Sequence, residues 1–377
     1  MEVFKSLDKI IFILVLPLLS FGLVTMYSFT DQSYFFQRQV IWASFSLLLL
    51  FFLPSIDWRF LKRSTVLLFL YVFFLILLAI LLFFGESVRG AQSWFSLGGF
   101  TFQPSDFMKL ILILVLAKYF SRRHVQIGHI QHIIVSSIYV LIPIFLVLLQ
   151  PDFGTALILF LIWLGMIMVS GVSKKHLFLV FLLASLSFGI LWGFVFTDPQ
   201  KARIISFIRP LEDIQGTGYN AYQSTIAVGS GELFGKGVGY GTQSRLEFLP
   251  EYQTDFIFAA FAEEWGFIGV CILFLLFGLL FWRILQGAFY GDTNFETLFG
   301  FGITIMFMSH FLIHVGMNIG LLPVTGLPIP FLSYGGSHLL VEFLALGILM
   351  GMKRYNRTVH REIVSQGEIV GVSLYEL

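Results

Sequence analysis

Charge is what this chain has least of. Asp, Glu, Lys and Arg make up 12% of its 377 residues, about half the share found in a typical soluble domain. A chain so poor in charge cannot cover a soluble surface of this size. Cysteine is also scarce. Cys271 stands alone inside an apolar run, which excludes an intramolecular disulfide framework and a multi-cysteine metal site. The formal net charge of +1 supplies no bulk field for nucleic acid. No P-loop, GxGxxG, GxSxG or HEXXH pattern occurs, so nucleotide-driven pumping, triad hydrolysis and zinc-protease chemistry find no support. No repeat of fixed period is present.

What is abundant is apolar. Hydrophobic residues are 57% of the chain, 46 of them Phe, and the mean hydropathy is +0.88. A helix needs roughly 20 mostly apolar residues to cross the hydrocarbon of a bilayer. Ten stretches qualify: about 9–29, 37–54, 64–84, 105–121, 133–149, 153–171, 176–196, 256–282, 297–320 and 331–352. They are unbroken runs without period-2 alternation, which excludes a β-barrel. No small-residue cleavage site follows the first stretch, so it reads as an uncleaved helix rather than a signal peptide. The expected fold is an all-α polytopic membrane protein of about ten transmembrane helices, one membrane domain over 1–377. With the N-terminus inside, fifteen Lys and Arg fall on cytoplasmic segments and seven on outer ones, Lys109 lying within a span. This asymmetry places both termini in the cytoplasm.

The segment 197–255, between the seventh and eighth spans, is a large extracytoplasmic loop rich in Gly, Gln, Ser, Tyr and charge. It is too long for a connector and is expected to be ordered and functional. Within it, 219–230 has the pattern of a short amphipathic helix, and 235–245, with four glycines, is expected to be turn-rich. GLLPVTGLPIPFLSYGGS at 320–337 carries three prolines and four glycines. Such a break is tolerated at membrane depth only where it is buried in protein or lines a cavity. The tail 353–377 is short, polar and cytoplasmic.

Charges inside spans are functional candidates by default. Asp106 and Lys109, three residues apart near the outer end of the fourth span, share a helix face; the plainer reading is a mutually neutralising pair. Asp255 stands where the long loop meets the eighth span. If Pro250 opens that helix, Glu251 and Asp255 lie one turn apart and serve as partners of the helix dipole. Asp255 also adjoins the apolar run FIFAAF, where desolvation favours a general base. Glu263 and Glu264 read as structural. His310 and His314, and likewise His338 and Glu342, have i, i+4 spacing; bonds to neighbouring helices are the preferred reading over metal ligation. The loop cations Lys201, Arg203, Arg209, Lys236 and Arg245 suit diphosphate oxygens, with snorkelling at the interface as the alternative.

RGAQSWFSLGGFTFQPSDFMKL at 89–110, QPDFGTA at 150–156, the run from Arg203 through GYNAYQSTIAVGSGELFGKGVGYGTQSRLEFLPEYQTDFIFAAFAEEWGFIG, and GLLPVTGLPIPFLSYGGS together resemble the SEDS family of shape, elongation, division and sporulation proteins. GTQS at 241–244 followed by FLPE is similar to the rod-elongation branch rather than the division branch. The resemblance implies a glycosyltransferase of the bacterial cytoplasmic membrane that polymerises lipid II, an undecaprenyl-diphosphate-linked disaccharide peptide, into peptidoglycan strands at the outer face. It implies Asp255 as the essential acid, with Asp106 and Lys109 in support; Asp106 stands where the family usually has Glu. Beside that resemblance, Arg203, Arg209, Lys236, Gln243 and Glu251 are the candidate substrate-binding residues. It implies no organic cofactor, and loop cations or a divalent cation would stabilise the leaving diphosphate. The implied partners are a class B penicillin-binding protein, which is a transpeptidase, and other membrane proteins of the elongation complex; no nucleic acid is implied. A lipid II flippase, a non-enzymatic scaffold and the division paralogue are the competing readings. Against a flippase, Asp106, Lys109 and Asp255 all lie on the outer side.

Overall fold

The computed structural model describes residues 7–28, 33–88, 91–97, 100–122, 130–194, 196, 198–208, 218–246 and 248–369. Its long helices are α1 (Lys9–Tyr27), α2 (Ser33–Phe52), α3 (Ser64–Phe84), α4 (Pro104–Ser121), α5 (Ile130–Leu149), α6 (Phe153–Val169) and α7 (Lys174–Phe194). The loop helices α8 (Asp198–Ile208), α9 (Tyr219–Ser230) and α10 (Thr242–Arg245) follow, then α11 (Ile257–Phe289), α12 (Asn294–Asn318) and α13 (Gly336–Ile369). Eight helices among the described residues are long and apolar enough to cross a membrane. The two other expected spans also form helices. The first, α4, carries Asp106, Lys109 and Lys118, and the second, α6, has 17 residues. The protein is an all-helical, multi-pass membrane protein.

The centre of the bundle is α12. It packs against α11, α4, α6 and α13, while α1 lies on α11, α2 on α13, and α3 on α4. Burial marks the same order: 78% of the most apolar window of α12 is buried, against 6% for α7. Close approach at the centre depends on small residues. A Cβ on Gly302 would collide with the side chain of Ile113 on α4. The outward faces carry Leu68, Phe69, Phe83 and Phe145, all exposed, as suits a surface solvated by lipid. At the basic membrane face, Lys62 pairs with Glu296 at 2.7 Å and Arg283 with Asp8 at 2.7 Å.

Several boundaries differ from the sequence reading. Pro250 does not open a helix. Residues 250–256 form turns, Glu251 has φ 54°, and the amides of Asp255 and Phe256 both donate to the Glu251 carbonyl. Asp255 therefore precedes α11 instead of sitting in its first turn, and the dipole-partner reading falls. A second difference lies inside α11. Gly266, at φ 65° and ψ −169°, breaks the helix, and the loop 232–237 bonds into the gap. Lys236 N and Gly237 N donate to the carbonyls of Glu263 and Glu264, and Phe267 N and Ile268 N to those of Glu232 and Leu233. Hydropathy cannot show such a break, because an apolar run reads alike with or without it. The segment between α3 and α4 forms a small antiparallel sheet in the order β1 (Glu86–Val88), β2 (Ala91–Leu97), β3 (Phe100–Phe102). Helix α13 starts at Gly336, not 331, and its backbone runs on to Ile369 within the segment read as a polar tail.

Candidate active site

At one membrane face the ends of these elements enclose a cavity of about 590 Å³, within the range of small-molecule sites. Asp106 and Lys109 of α4, Glu251 and Asp255 of the turn before α11, and the loop between α12 and α13 all line it. Four carboxyl or ammonium groups singled out in the sequence thus meet in one space. The proline- and glycine-rich break at 320–337 supplies Thr325, Gly326, Leu327 and Pro328 to the wall, then Tyr334 through Ser337, and His338 of α13 follows. Its apolar members Leu327, Ile329, Phe331 and Leu332 are buried, which anchors an irregular backbone inside the bundle.

Asp106 and Lys109 are each 2% exposed. Lys109 Nζ lies 2.8 Å from Asp106 Oδ1 and 3.2 Å from His310 Nε2. His310 Nδ1 is 3.1 Å from the Pro328 carbonyl; donating there leaves Nε2 as an acceptor for the ammonium. Ser337 Oγ donates to Asp106 Oδ2 at 3.1 Å. His338 faces a carboxylate on each ring nitrogen: Nδ1 is 3.5 Å from Asp106 Oδ1 and Nε2 is 2.9 Å from Glu342 Oε1. The Glu342 approach is short but off the hydrogen-bond axis, so it acts as an electrostatic contact. The other oxygen, Glu342 Oε2, accepts from Phe331 N at 3.0 Å. The pair is thus embedded in a chain of polar groups running from α4 through α12 to α13. His310 and His314 bond to neighbouring elements, as the sequence reading preferred, His314 Nδ1 lying 2.7 Å from the Leu327 carbonyl.

Asp255 is half-buried at the cavity wall. Its backbone carbonyl accepts from Asn318 Nδ2 at 3.0 Å, and Tyr334 N bonds to the Gln253 carbonyl two residues before it at 2.9 Å. Gly326, at φ 71°, brings backbone against the carboxylate; a Cβ there would stand 3.5 Å from Asp255 Oδ2. Asp152 also lines the cavity, and its Oδ1 caps α6 by accepting from Thr155 N at 3.0 Å. Sequence reasoning missed Asn318 and Ser337 altogether. Both are common polar residues whose partners lie far away in the chain, and no local spacing marks them.

The remaining sequence candidates lie elsewhere. Lys236 Nζ pairs with Glu263 Oε1 at 2.7 Å. Gln243 N donates to the same oxygen at 3.0 Å. Thr242 Oγ1 and Ser244 Oγ also bond to Glu263. This buried carboxylate therefore gathers the loop 236–244 away from the cavity. Arg203 is described only as backbone, in α8, one turn after Gln200, which lines the cavity. Arg209 lies outside the described residues. Among the described residues, no cluster of three or more His, Cys, Asp or Glu is arranged to hold a metal ion.

Fold and site define a class: a polytopic helical membrane protein with a carboxylate-lined cavity at one membrane face, closed by a broken loop. The comparisons narrow it. The family model described as "Cell cycle protein", which joins FtsW, RodA and SpoVE, matches residues 3–358. The chain belongs to this family, the SEDS proteins. Stage V sporulation protein E of Bacillus subtilis (strain 168) is 36% identical over 363 residues, which span 93% of this chain and 98% of its own. Peptidoglycan glycosyltransferase MrdB of Escherichia coli (strain K12) is 34% identical over 358 residues, or 95% and 96% of the two chains. A solved structure described as the structural coordination of polymerization and crosslinking by a peptidoglycan synthase complex is similar with a TM-score of 0.79 at 30% identity, covering 92% of this chain and 98% of that one. The crystal structure of rod shape determining protein RodA from Thermus thermophilus gives a TM-score of 0.70 at 29% identity over 92% of this chain and 97% of that one.

Proposed function

We propose that this SEDS peptidoglycan glycosyltransferase joins lipid II units into glycan strands at the outer face of the cytoplasmic membrane, with Asp255 as general base. The observation that carries this is the meeting of Asp255, Glu251, Asp106 and Lys109 in one cavity. Transfer from an α-linked diphosphate to a β-linked strand is inverting. It needs one base at the acceptor hydroxyl and positive charge at the leaving diphosphate. Asp255 takes the proton from the acceptor hydroxyl as that oxygen attacks the anomeric carbon, and undecaprenyl diphosphate leaves. Lys109 is the one lysine or arginine among the described residues lining the cavity, and it stabilises the developing diphosphate charge. Arg203 and Arg209 are the further cations that we assign to the diphosphate. Glu251 borders the substrate path, while Lys236 and Gln243 contribute through the loop that Glu263 holds. The cavity accommodates sugars and diphosphate, and the polyprenyl tail lies in lipid. A divalent cation is a further way to neutralise the diphosphate.

Within the family we assign the chain to rod elongation, on the GTQS and FLPE segments at 241–244 and 248–251. Both termini are then cytoplasmic and 197–255 is outside. The partner is a class B penicillin-binding protein, with other elongation-complex membrane proteins. Its membrane helix docks on spans eight and nine, where α11 exposes Phe267, Ile268, Ile272, Leu275 and Leu279. The deciding experiment supplies fluorescent lipid II to purified protein with and without a cognate transpeptidase. Polymer formation that disappears in Asp255→Asn, a nearly isosteric change, is expected, with a loss of at least about 10²–10⁴-fold. Near-normal polymer from Asp255→Asn overturns the assignment of the base. Translocation of lipid II without polymer identifies a flippase.

A further inference from the structure

A second cavity, of about 370 Å³, opens at the opposite, basic end of α3, α4 and α5. Lys118 of the last turn of α4 and Arg122, the residue that caps its C-terminus, line it, with three tyrosines, Tyr71, Tyr119 and Tyr139. Neither cation has an acidic partner among the described residues. Two acids of the same membrane face are engaged elsewhere: Asp57 pairs with Arg59 at 2.6 Å, and Glu296 with Lys62 at 2.7 Å. The segment 121–132, SRRHVQIGHIQH, holds no acid at all. Ser64, first residue of α3, also borders the cavity. The cap position before it, Arg63, makes no side-chain capping bond, so the leading amides of α3 add positive potential.

The walls are fixed in place. Tyr71 Oη donates to the Tyr139 carbonyl at 2.7 Å, joining α3 to α5, and Tyr119 Oη is 2.9 Å from His132 Nδ1, joining α4 to α5. At the mouth, Leu68 and Val135 are exposed on the lipid-facing sides of α3 and α5. A cationic floor, tyrosine walls and an apolar rim open to acyl chains match one ligand chemistry, a phosphodiester headgroup carried on lipid tails. The site is separate from the cavity that holds Asp255: Asp106 to Lys118 is about 18 Å along α4.

We infer that this cavity is a binding site for an anionic phospholipid, with Lys118 and Arg122 on the headgroup phosphate and the acyl chains lying over Leu68 and Val135. The inference goes beyond the polymerase reading and does not depend on it. Purified full-length protein in detergent is titrated with phosphatidylglycerol, phosphatidylcholine and inorganic phosphate, and retained lipid is counted by native mass spectrometry. Phosphatidylglycerol is expected to bind in preference to phosphatidylcholine. Lys118→Gln with Arg122→Gln is expected to weaken its binding on the order of tenfold. Lys174→Gln with Lys175→Gln, also basic residues of that membrane face but outside the cavity, should leave it unchanged. In the wild-type protein, a photoactivatable phosphatidylglycerol should label 64–71, 115–122 or 135–139, a measurement independent of how the variants fold. No preference for the anionic lipid, no effect of the double variant, an equal effect of both variants, or labelling confined elsewhere overturns the assignment. Saturable binding of inorganic phosphate that displaces the lipid identifies a free phosphate as the ligand and overturns the lipid assignment too.

Discussion

Asn318, the last residue of α12, holds the backbone of Asp255. Its Nδ2 donates to the Asp255 carbonyl at 3.0 Å and to the His314 carbonyl at 2.8 Å, while Oδ1 accepts from Ala259 N at 3.2 Å. Ser224 Oγ of α9 bonds to the Asn318 backbone carbonyl at 2.9 Å. One wholly buried amide thus ties the candidate base to α9, α11 and α12. Asp255 lies just ahead of a helix, where no regular ladder fixes it, so this tether sets where its carboxylate points.

Asn318→Leu should therefore act at Asp255 without touching the reacting atoms. It leaves a buried carbonyl and a buried amide without partners, at a cost of about 1–3 kcal/mol. Polymerisation should fall more than the loss of folded protein explains. Asn318→Asp retains the acceptor for Ala259 N but not the donor to Asp255, so it should recover stability more than activity. Thermal unfolding and lipid II turnover on the same samples check this. Equal recovery of both would reduce Asn318 to a packing residue.

The break at Gly266 should be intolerant of any side chain. A Cβ there would collide with the backbone nitrogen of Gly235, at a φ of 65° that L residues rarely adopt. Gly266→Ala should cost more than about 2 kcal/mol, and it should expose 232–245 to proteolysis before the rest of the chain. Glu263→Gln should loosen the same loop more mildly, because Lys236 is only half-buried and can turn to water. Protease cleavage mapped by mass spectrometry gives the order.

Some of this was legible in the sequence and some was not. The ten apolar stretches do form helices, eight of them long and apolar enough to cross a membrane, and Asp106, Lys109 and Asp255 stand out because charge at such positions is expensive. The cavity-lining role of 320–337 follows from its prolines and glycines. What stays hidden depends on tertiary partners. Lys236 looks like a ligand for diphosphate until Glu263, 27 residues on, is seen to take it. Pro250 looks like a helix start until Glu251 adopts a positive φ. The tetrad of Asp106, Lys109, His310 and His338 joins three helices, and no spacing within one helix announces it.

His338 is expected to position Asp106 rather than touch substrate. It lies between Asp106 and Glu342, whose other oxygen holds the amide of Phe331, a non-glycine residue at φ 63°. His338→Gln should lower kcat with little change in KM for lipid II, since a bent Asp106–Lys109 pair still leaves the cavity open. Glu342→Gln should lower kcat less and destabilise more, because the Phe331 turn then relies on a neutral acceptor. A raised KM with unchanged kcat in His338→Gln would place the imidazole on the substrate instead.

The Asp106–Lys109 pair separates a structural from a catalytic role most sharply. Both side chains are buried and 2.8 Å apart, and breaking such a pair by removing one partner costs about 3–5 kcal/mol. Lys109→Met leaves Asp106 with Ser337 and His338; Asp106→Asn leaves Lys109 with His310. Each single change should destabilise the protein and stop polymerisation. The double change, Asp106→Asn with Lys109→Met, removes both charges and should restore much of the stability, giving a strong coupling in a double-mutant cycle. Polymerisation should nevertheless stay lost, because the diphosphate then meets no ammonium in the cavity. Thermal unfolding of the four proteins, read beside lipid II polymerisation, separates the two quantities. If strand synthesis returns together with stability in the double variant, the pair serves packing alone, and the positive charge at the leaving group must come from Arg203 or Arg209.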